Sequence, residues 1–306
     1  MDHAARVDPA PPPAHRLDLG GGVVLDRVVE QQQPMFDAGW FFPGLAPAEL
    51  AAERPGLEAS GALDRSGELV LAVQSYVVRT PGHTIVVDTC VGNHHPYPRV
   101  PRWDQLELDT YPAGLAAAGL SPADVDVVVS THLHGDHVGW HTRREDGRWV
   151  PTFPSARYVF VEPELAHWRS VHDRTPSPVV AESVLPVLAA GLADVVRPDA
   201  ELVPGVRLEP APGHTPGHVV VRVDGADRSA VVTGDLLHSP LQLRHPDLAM
   251  LLDTDPGTAA ASRRRVLHQA EQEQLLLCTG PFPLPSVGTL APTDGGWTLL
   301  PVSSAR

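Results

Sequence analysis

Cysteine is scarce in this 306-residue chain, which has only Cys90 and Cys278. Two cysteines cannot provide a disulfide framework, so a small disulfide-rich secreted fold is excluded. Both lie in apolar, strand-like surroundings, and we interpret them as buried thiols in a reducing compartment. Residues 1–15 contain no apolar segment of the kind that a secretory signal requires. These features together predict a cytoplasmic protein.

Long hydrophobic runs and an excess of positive charge are also absent. No apolar run is long enough to span a bilayer. The chain has 23 basic and 37 acidic residues, a formal net charge of −14 that repels nucleic acid and anionic membrane surfaces. We therefore expect no nucleic acid and no membrane as partner. A small-molecule substrate is expected, and a homodimer remains open.

Several catalytic motifs are missing as well. The sequence contains no G-x-S-x-G nucleophile elbow and no P-loop. It also lacks a dinucleotide-binding fingerprint and a regular alternation of strands and helices. A serine hydrolase, a nucleotide hydrolase and a dinucleotide enzyme are therefore disfavoured.

The order of the predicted elements indicates a single α+β domain. Residues 1–18 are rich in Pro and Ala and are predicted to form a disordered tail, followed by one domain over residues 19–306. Two apolar runs within residues 69–87 are separated by a Pro-Gly turn and predict a hairpin. Strands precede a helix in each half of the chain, and residues 258–272 predict an amphipathic helix. This order suits two packed sheets with helices outside.

Histidine is the informative residue type, because its sixteen copies are clustered. His132, His134, Asp136 and His137 fall within six positions, directly after an apolar strand. Strand residues two apart point to the same side, so His132 and His134 can project into one cavity. Gly135 allows a turn that brings Asp136 and His137 toward the same cavity. Imidazole and carboxylate groups suit a divalent ion such as zinc. The alternative is a histidine-rich surface loop without metal.

Two later segments match this motif and disfavour the surface-loop alternative. Residues 212–218 read PGHTPGH and contain His214 and His218, and residues 231–235 read VVTGD and end at Asp235. Each places one potential ligand on a glycine-containing loop beside an apolar strand. The three segments together predict one metal site.

An HxHxDH motif, a downstream PGHTPGH and a strand ending in TGD resemble the metallo-β-lactamase superfamily. Asp88, at a strand end, matches the first motif of that family. The local sequences of residues 131–140 and 234–240 are similar to a branch of lactonase-like and organophosphate-hydrolase-like members. The resemblance implies an αββα four-layer sandwich of two mixed β-sheets flanked by helices.

The resemblance also implies six ligands for two metal ions. In chain order these are His132, His134, Asp136, His137, His214 and Asp235. Three histidines, His132, His134 and His214, are implied as ligands of the first ion. Asp136 and His137 are implied as ligands of the second, and Asp235 as the ligand that bridges the two ions. A hydroxide between the ions is implied as the nucleophile, oriented by Asp136 as the catalytic residue. We expect His218 behind the ligands rather than among them.

The implied activity is hydrolysis of an ester-like bond, with a lactone as the preferred substrate. A thioester, phosphotriester or β-lactam hydrolase of the same fold is the first alternative, and a ligand-binding protein that has lost catalysis is the second. Zinc is the expected metal, although iron and manganese use the same ligand types.

Pro281 departs from the family pattern. Members with two metals have a further histidine in a C-terminal His-Phe-Pro run, and here that position holds proline, which has no donor atom. Three interpretations stay open. The site holds two ions, with the second weakened and completed by water or by a side chain such as His238 or His245. It holds one ion. Or catalysis has been lost.

Aromatic and basic residues near these motifs allow weaker predictions. Phe36 and Trp40 belong to an aromatic cluster that forms either a pocket wall or ordinary core. Trp140 directly follows the metal motif and is a second candidate for a pocket wall. His238 and Asp88 are expected close behind the ligands. Residues 263–265, three arginines on the last helix, predict a solvated helix face.

Overall fold

The computed structural model describes residues 15–302. The predicted disordered tail lies outside the described residues as far as residue 14. Residues 15–18, which the prediction assigns to the tail, instead open the first strand. None of the helices within the described residues is long and apolar enough to cross a membrane.

Strands make up most of the regular structure. In chain order within residues 15–302 they are β1 His15–Gly20, β2 Val23–Asp37, β3 Glu68–Thr80, β4 His83–Val87, β5 Val127–Val129, β6 Thr142–Glu145, β7 Arg148–Pro151, β8 Arg157–Val161, β9 Ala193–Val196, β10 Glu201–Val203, β11 Val206–Pro210, β12 Val219–Asp224, β13 Ser229–Val232, β14 Leu276–Cys278, β15 Val287–Thr293 and β16 Gly296–Pro301.

The α-helices of the same residues are fewer than the strands. They are α1 Ala38–Phe41, α2 Pro47–Ala59, α3 Thr110–Ala117, α4 Gly135–Val138, α5 Glu162–Arg174, α6 Leu185–Ala189, α7 Leu241–Arg244 and α8 Pro256–Gln272.

The strands form two seven-stranded mixed sheets and one small hairpin, β6–β7. The first sheet has the order β1-β2-β3-β4-β5-β8-β9, antiparallel as far as β4 and parallel from β4 onward. The second has the order β10-β11-β12-β13-β14-β15-β16, in which only β13 and β14 run parallel. The predicted hairpin of residues 69–87 is confirmed as β3 and β4.

The core lies between the two sheets and is built from alternating strand positions. In β5, Val127 and Val129 face this core, whereas Val128 faces the opposite side of the sheet. The inner strands of both sheets alternate in this way because successive side chains of a strand point to opposite faces. Each fully buried valine contributes about 1.5–3 kcal/mol of hydrophobic free energy.

Helices cover the outer face of each sheet. Leu115 of α3 and Leu165 of α5 pack on the outer face of the first sheet. Val266 and Leu267 of α8 pack on the outer face of the second. The layers therefore run helix, sheet, sheet, helix, and the predicted α+β fold, an αββα sandwich, is confirmed.

Four strands end at the edge of the sandwich where the histidine motif lies. β4 is followed by Asp88, β5 by the motif itself, β13 by Asp235 and β14 by the loop of Pro281. The carboxyl ends of parallel neighbours point the same way, which groups these loops in pairs. The two sheets are joined here, because Val219 N donates a 3.0 Å hydrogen bond to Thr131 O.

Some elements differ from the prediction. The sequence of residues 179–190 predicts one helix that includes Pro186, but these residues form a π-helical turn, Val180–Val184, followed by the short α6. Pro186 disfavours a regular helix there, because it has no backbone N–H to donate. Helix α2 contains Pro55 and Gly56, and its sequence gives little helical signal.

Candidate metal centre

Three imidazoles and one carboxylate converge at the strand ends, and we call them the four-donor group. They belong to His132, His134, His214 and Asp235. His134 Nδ1 lies 2.9 Å from His132 Nε2 and 3.0 Å from His214 Nε2. Asp235 Oδ2 lies 3.4 Å from His214 Nε2 and 3.7 Å from His132 Nε2.

These separations fit a tetrahedral metal ion. Ligand atoms about 2.05 Å from a tetrahedral zinc lie roughly 3.3 Å from one another, in the middle of the range of distances found in the four-donor group. The donor types, nitrogen and oxygen, also suit zinc. The residues present therefore fit a divalent ion.

The ring nitrogens on the far side of this group are held by neighbours. His132 Nδ1 lies 3.2 Å from Thr131 Oγ1, and His214 Nδ1 lies 3.1 Å from Asp253 Oδ1. Such contacts fix the orientation and tautomer of a metal-binding imidazole. In His214 the Nδ1 proton donates to Asp253, which leaves the Nε2 lone pair facing the group.

Two imidazoles of the four-donor group, those of His132 and His134, have lowered pKa values. Burial, with the neighbouring His137, His134 and His214, lowers the pKa of His132 well below its usual value. Burial and His214 lower the pKa of His134 to about 3. Neutral imidazole is the form that binds a metal, so these pKa values favour coordination at neutral pH.

A second group, which we call the three-donor group, shares Asp235 with the first. It consists of Asp136, His137 and Asp235. His137 Nε2 lies 3.5 Å from Asp136 Oδ2 and 3.0 Å from Asp235 Oδ1, the latter without the alignment of a hydrogen bond. Asp235 Oδ1 is consequently buried without a hydrogen-bond partner. A buried carboxylate oxygen that accepts no hydrogen bond is a suitable ligand for a cation.

Negative charge dominates the three-donor group. Burial disfavours the charged form of His137, but the carboxylates of Asp235, Asp136 and Asp88 outweigh burial and raise its pKa well above the usual value. Three carboxylates around one imidazole leave an excess of negative charge that a divalent ion would neutralise.

Asp88 and His218 lie directly behind the predicted ligands. Asp88 accepts a 2.7 Å hydrogen bond from Thr131 N, and its other oxygen lies 2.9 Å from His137 Nδ1. His218 Nε2 accepts a 3.1 Å hydrogen bond from Asp235 N. Both ring nitrogens of His218 are engaged, because Nδ1 lies 3.1 Å from Ala211 O. His218 is thus placed to hold the Asp235 loop rather than a metal.

A cavity of about 200 Å³ opens onto both donor groups. Its walls are largely apolar and include Phe36, and His238 also lines it. The Trp40 ring packs against Phe36 in a tilted arrangement, with 5.5 Å between the ring centres, but Trp40 is 53% exposed and lies outside the cavity lining. A larger cavity, of about 400 Å³, lies elsewhere and contains none of the donor residues.

Trp140, predicted as a candidate for a pocket wall, does not line the cavity. Its indole is buried in the outer core of the first sheet, where it stacks on Tyr111 at 5.5 Å. Its Nε1 donates a 2.7 Å hydrogen bond to the buried carboxylate of Glu30. The backbone turns away from the cavity after His137, which a prediction from sequence adjacency cannot anticipate.

Pro281 lies beside the three-donor group. It lines a narrow cavity together with Asp136 and His137. Of the two histidines suggested as replacements, His245 Nε2 lies 3.1 Å from Glu53, outside either donor group. His238 Nε2 lies 3.1 Å from Asp235 Oδ2, the oxygen that faces the four-donor group.

Sequence reasoning missed Glu164, whose carboxylate connects two of the loops that carry predicted metal ligands. This buried residue of α5 accepts hydrogen bonds from Leu133 N at 3.0 Å and Gly217 N at 2.9 Å. Trp168 Nε1 donates a third, at 2.7 Å. No sequence signal points to it, since an acidic residue in the first turn of a helix is common.

The prediction of a solvated arginine face on α8 is wrong for Arg263. Its side chain is 1% exposed and lies between the apolar residues Ala259, Ala260, Val266 and Leu267 on the covered face of the helix. The sequence does indicate that Arg263 is covered, because it lies three or four positions from these apolar residues and such positions share a helix face. Arg264, by contrast, is exposed and pairs with Asp247.

Comparison with known proteins agrees with this geometry. The sequence model of the metallo-beta-lactamase superfamily matches residues 69–280, more than half of the chain. The N-acyl homoserine lactonase of Bacillus cereus is 25% identical over 224 residues, which cover 69% of this chain and 82% of that protein. The N-acyl homoserine lactonase of Bacillus thuringiensis is 27% identical over 166 residues, 54% of this chain and 59% of that protein.

Solved structures show the same fold at lower sequence identity. The hydrolase AbOPH of the beta-lactamase superfamily superposes with a TM-score of 0.80 at 21% identity, covering 98% of this chain and 100% of that one. AidC, a dizinc quorum-quenching lactonase in complex with a product, has a TM-score of 0.78 at 21% identity with the same coverage. The matched sequence model and the two donor groups at the strand ends lead to one conclusion: the chain belongs to the metallo-beta-lactamase superfamily.

Proposed function

We propose that this protein is a metal-dependent hydrolase that opens a lactone ring. The observation that carries the proposal is the position of Asp235, which joins the two donor groups on the inner side of an apolar cavity. The sequence similarity to N-acyl homoserine lactonases supports the lactone among ester-like substrates.

The metal is proposed to be zinc, with unequal affinities at the two positions. When bound, zinc supplies Lewis acidity toward a carbonyl oxygen and makes water more acidic. The four-donor group offers a complete tetrahedral set and would hold the first ion. The three-donor group lacks the donor that Pro281 cannot supply, so a second ion would bind there more weakly.

The chain's own residues are proposed to orient the substrate and move the proton. Asp136 lines the cavity, and its side chain is 22% exposed, more than that of the deeper Asp235. It is therefore the carboxylate placed to orient the attacking water and accept its proton. The walls formed by Phe36, Phe41 and Met250 would exclude bulk water and contact the apolar part of the substrate.

A cytoplasmic location and the absence of nucleic-acid partners are part of the same proposal. Cys90 and Cys278 are both free and buried, which supports a reducing compartment. The net charge of −14 supports a small uncharged or weakly charged substrate rather than a polyanion.

A substrate panel on the zinc-loaded protein tests the proposal. We expect hydrolysis of an N-acyl homoserine lactone to exceed hydrolysis of a thioester, a phosphotriester and a β-lactam. His132→Ala should abolish turnover, whereas His83→Ala, at an exposed hairpin position, should leave it unchanged. Turnover of none of the four substrates at full zinc loading would favour the ligand-binding protein instead.

A further inference from the structure

Arg263 is a buried charged residue whose contacts all lead toward the donor groups. Its Nε donates a 2.8 Å hydrogen bond to Leu236 O. Its Nη1 donates to Pro246 O at 2.8 Å and to Leu248 O at 3.0 Å. Its Nη2 lies 3.7 Å from Asp253 Oδ2. One guanidinium therefore contacts three stretches of chain, at Asp253, at Leu236 and at residues 246–248.

The first stretch leads to His214. The carboxylate that Arg263 approaches belongs to Asp253, whose other oxygen lies 3.1 Å from His214 Nδ1. The backbone strengthens the connection, because Thr254 N donates a 3.1 Å hydrogen bond to His214 O. The Asp253 side chain is fully buried, and a buried carboxylate is stable only with a counter-charge or several donors.

The second stretch leads to Asp235. Leu236, whose carbonyl accepts from Arg263, directly follows Asp235 in the chain. The turn is held from the other side by His218, which accepts from Asp235 N. Arg263 and His218 thus fix the backbone on both sides of the Asp235 side chain.

The third stretch is a wall of the cavity. Residues 246–252 include Met250 and Leu252, which line the cavity. Arg263 holds this segment through Pro246 O and Leu248 O. Gln242 Nε2 donates a further 2.8 Å hydrogen bond to Leu248 O. Arg263 therefore holds this wall of the cavity as well as the segments that position His214 and Asp235.

We infer that Arg263 is a positioning residue that sets His214 and Asp235 in the geometry of the four-donor group and holds the cavity wall beside them. The inference rests on the proposed function only in taking this group as the metal site. Arg263 acts through Asp253 and through backbone carbonyls, and it belongs to neither donor group and does not line the cavity. Its planar fork of donors reaches several acceptors at once, which a lysine ammonium on a flexible stem does not.

Zinc affinity of the folded protein is the measurement that tests this inference. Zinc is titrated into the metal-free protein against a chromophoric chelator for the wild type, Arg263→Met, Asp253→Asn and the double variant. We expect each single variant to bind the first zinc about 10- to 100-fold more weakly, the usual effect of losing a group behind a ligand. The double variant should lose little more than either, because the two residues act in one chain of contacts.

Two further variants separate positioning from general loss of structure. Arg264→Met, on the exposed side of the same helix, should bind zinc like the wild type. Arg263→Lys should recover only part of the affinity. Nitrogen-15 spectra of the imidazoles should show His214 protonated at Nδ1 in the wild type and a mixture of tautomers in Asp253→Asn.

Asp253→Asn preserves the shape of the side chain, so it keeps the test decisive if Arg263→Met does not fold. Wild-type zinc affinity in Asp253→Asn, or losses that simply add in the double variant, would overturn the inference. These readouts need no substrate. Failure of the lactone assay with weakened zinc binding in both variants would remove the proposed function and leave the role of Arg263 standing.

Discussion

Pro281 and His137 line the same narrow cavity beside the three-donor group. The loop of Pro281 is held in place there, because Ala72 N of β3 donates a 2.9 Å hydrogen bond to Pro281 O. Gln74 Nε2 donates a 2.9 Å hydrogen bond to Thr279 O of the same loop. A side chain introduced at position 281 would therefore start from a fixed backbone next to Asp136 and His137.

Pro281→His should raise the zinc content. A histidine at this position adds the missing nitrogen donor to the three-donor group, so we expect about one more zinc ion per chain after dialysis. Elemental analysis of the purified protein measures this. Pro283→His is the matched control, because Pro283 lies on the same loop but lines the larger cavity, which contains none of the donor residues. Equal zinc content in the wild type and Pro281→His would mean that the second position is completed in another way or is not used.

Asp235→Ala should remove more metal than His218→Ala. Asp235 belongs to both donor groups, whereas His218 belongs to neither and contacts Asp235 through the hydrogen bond that it accepts from Asp235 N. We expect Asp235→Ala to retain less than one zinc ion per chain, and His218→Ala to weaken binding about 10- to 100-fold. Zinc retained after dialysis against a weak chelator gives the comparison. Equal losses in the two variants would undo the assignment of Asp235 as a shared ligand.

Glu164→Ala should destabilise the fold as well as the site. The substitution leaves Leu133 N and Gly217 N buried without their acceptor, and we expect a loss of about 3 kcal/mol in the free energy of unfolding. Urea unfolding of the metal-free protein measures it. Glu162→Ala, an exposed position in the same helical turn, should cost less than about 1 kcal/mol. Similar losses in the two variants would show that the two hydrogen bonds contribute little.

The motif HxHxDH, the PGHTPGH loop and the TGD strand end could be predicted from sequence because each is local. A strand followed by short-range histidines fixes which side chains share a loop. The two-sheet architecture could be predicted as well, since β-branched runs and the Pro-Gly hairpin give strong signals. Strand β2 is longer than its apolar run, because glutamines 31–33 continue its pairing with β3.

The contacts behind the ligands could not be predicted in this way. Glu164 meets Leu133 and Gly217 only after two distant loops pack against α5, and no local pattern encodes that meeting. Arg263 is different, because its place in the apolar stripe of α8 was visible in the sequence. The prediction of one solvated surface for the three arginines is wrong for Arg263 because neighbouring helical positions point in different directions.

His141→Gln should reduce the sensitivity of the fold to acid. Burial lowers the pKa of His141 to about 3, well below the value near 6.5 of an unfolded chain. Between these two values the unfolded chain binds a proton that the folded protein does not, so stability falls as pH falls. His141 alone should remove about 2 kcal/mol of stability between pH 7.5 and pH 5.

The comparison uses urea unfolding at both pH values. Gln keeps a donor and acceptor near Ser130 Oγ, which lies 2.9 Å from His141 Nε2. The loss of stability between the two pH values should be about 2 kcal/mol smaller in His141→Gln than in the wild type. His83→Gln, at an exposed position, should show the wild-type loss. An unchanged pH dependence in His141→Gln would show that this residue is protonated in the folded state.

The rate of lactone opening as a function of zinc content tests whether this protein is a zinc-dependent lactone hydrolase. Ring opening releases a titratable acid, so proton release from an N-acyl homoserine lactone can be followed for protein that is stripped with a chelator and then reloaded stepwise with zinc. We expect the activity to be lost on stripping and to recover in step with zinc content, with no recovery in His132→Ala. A rate that survives stripping, or no ring opening at full zinc loading, would contradict it.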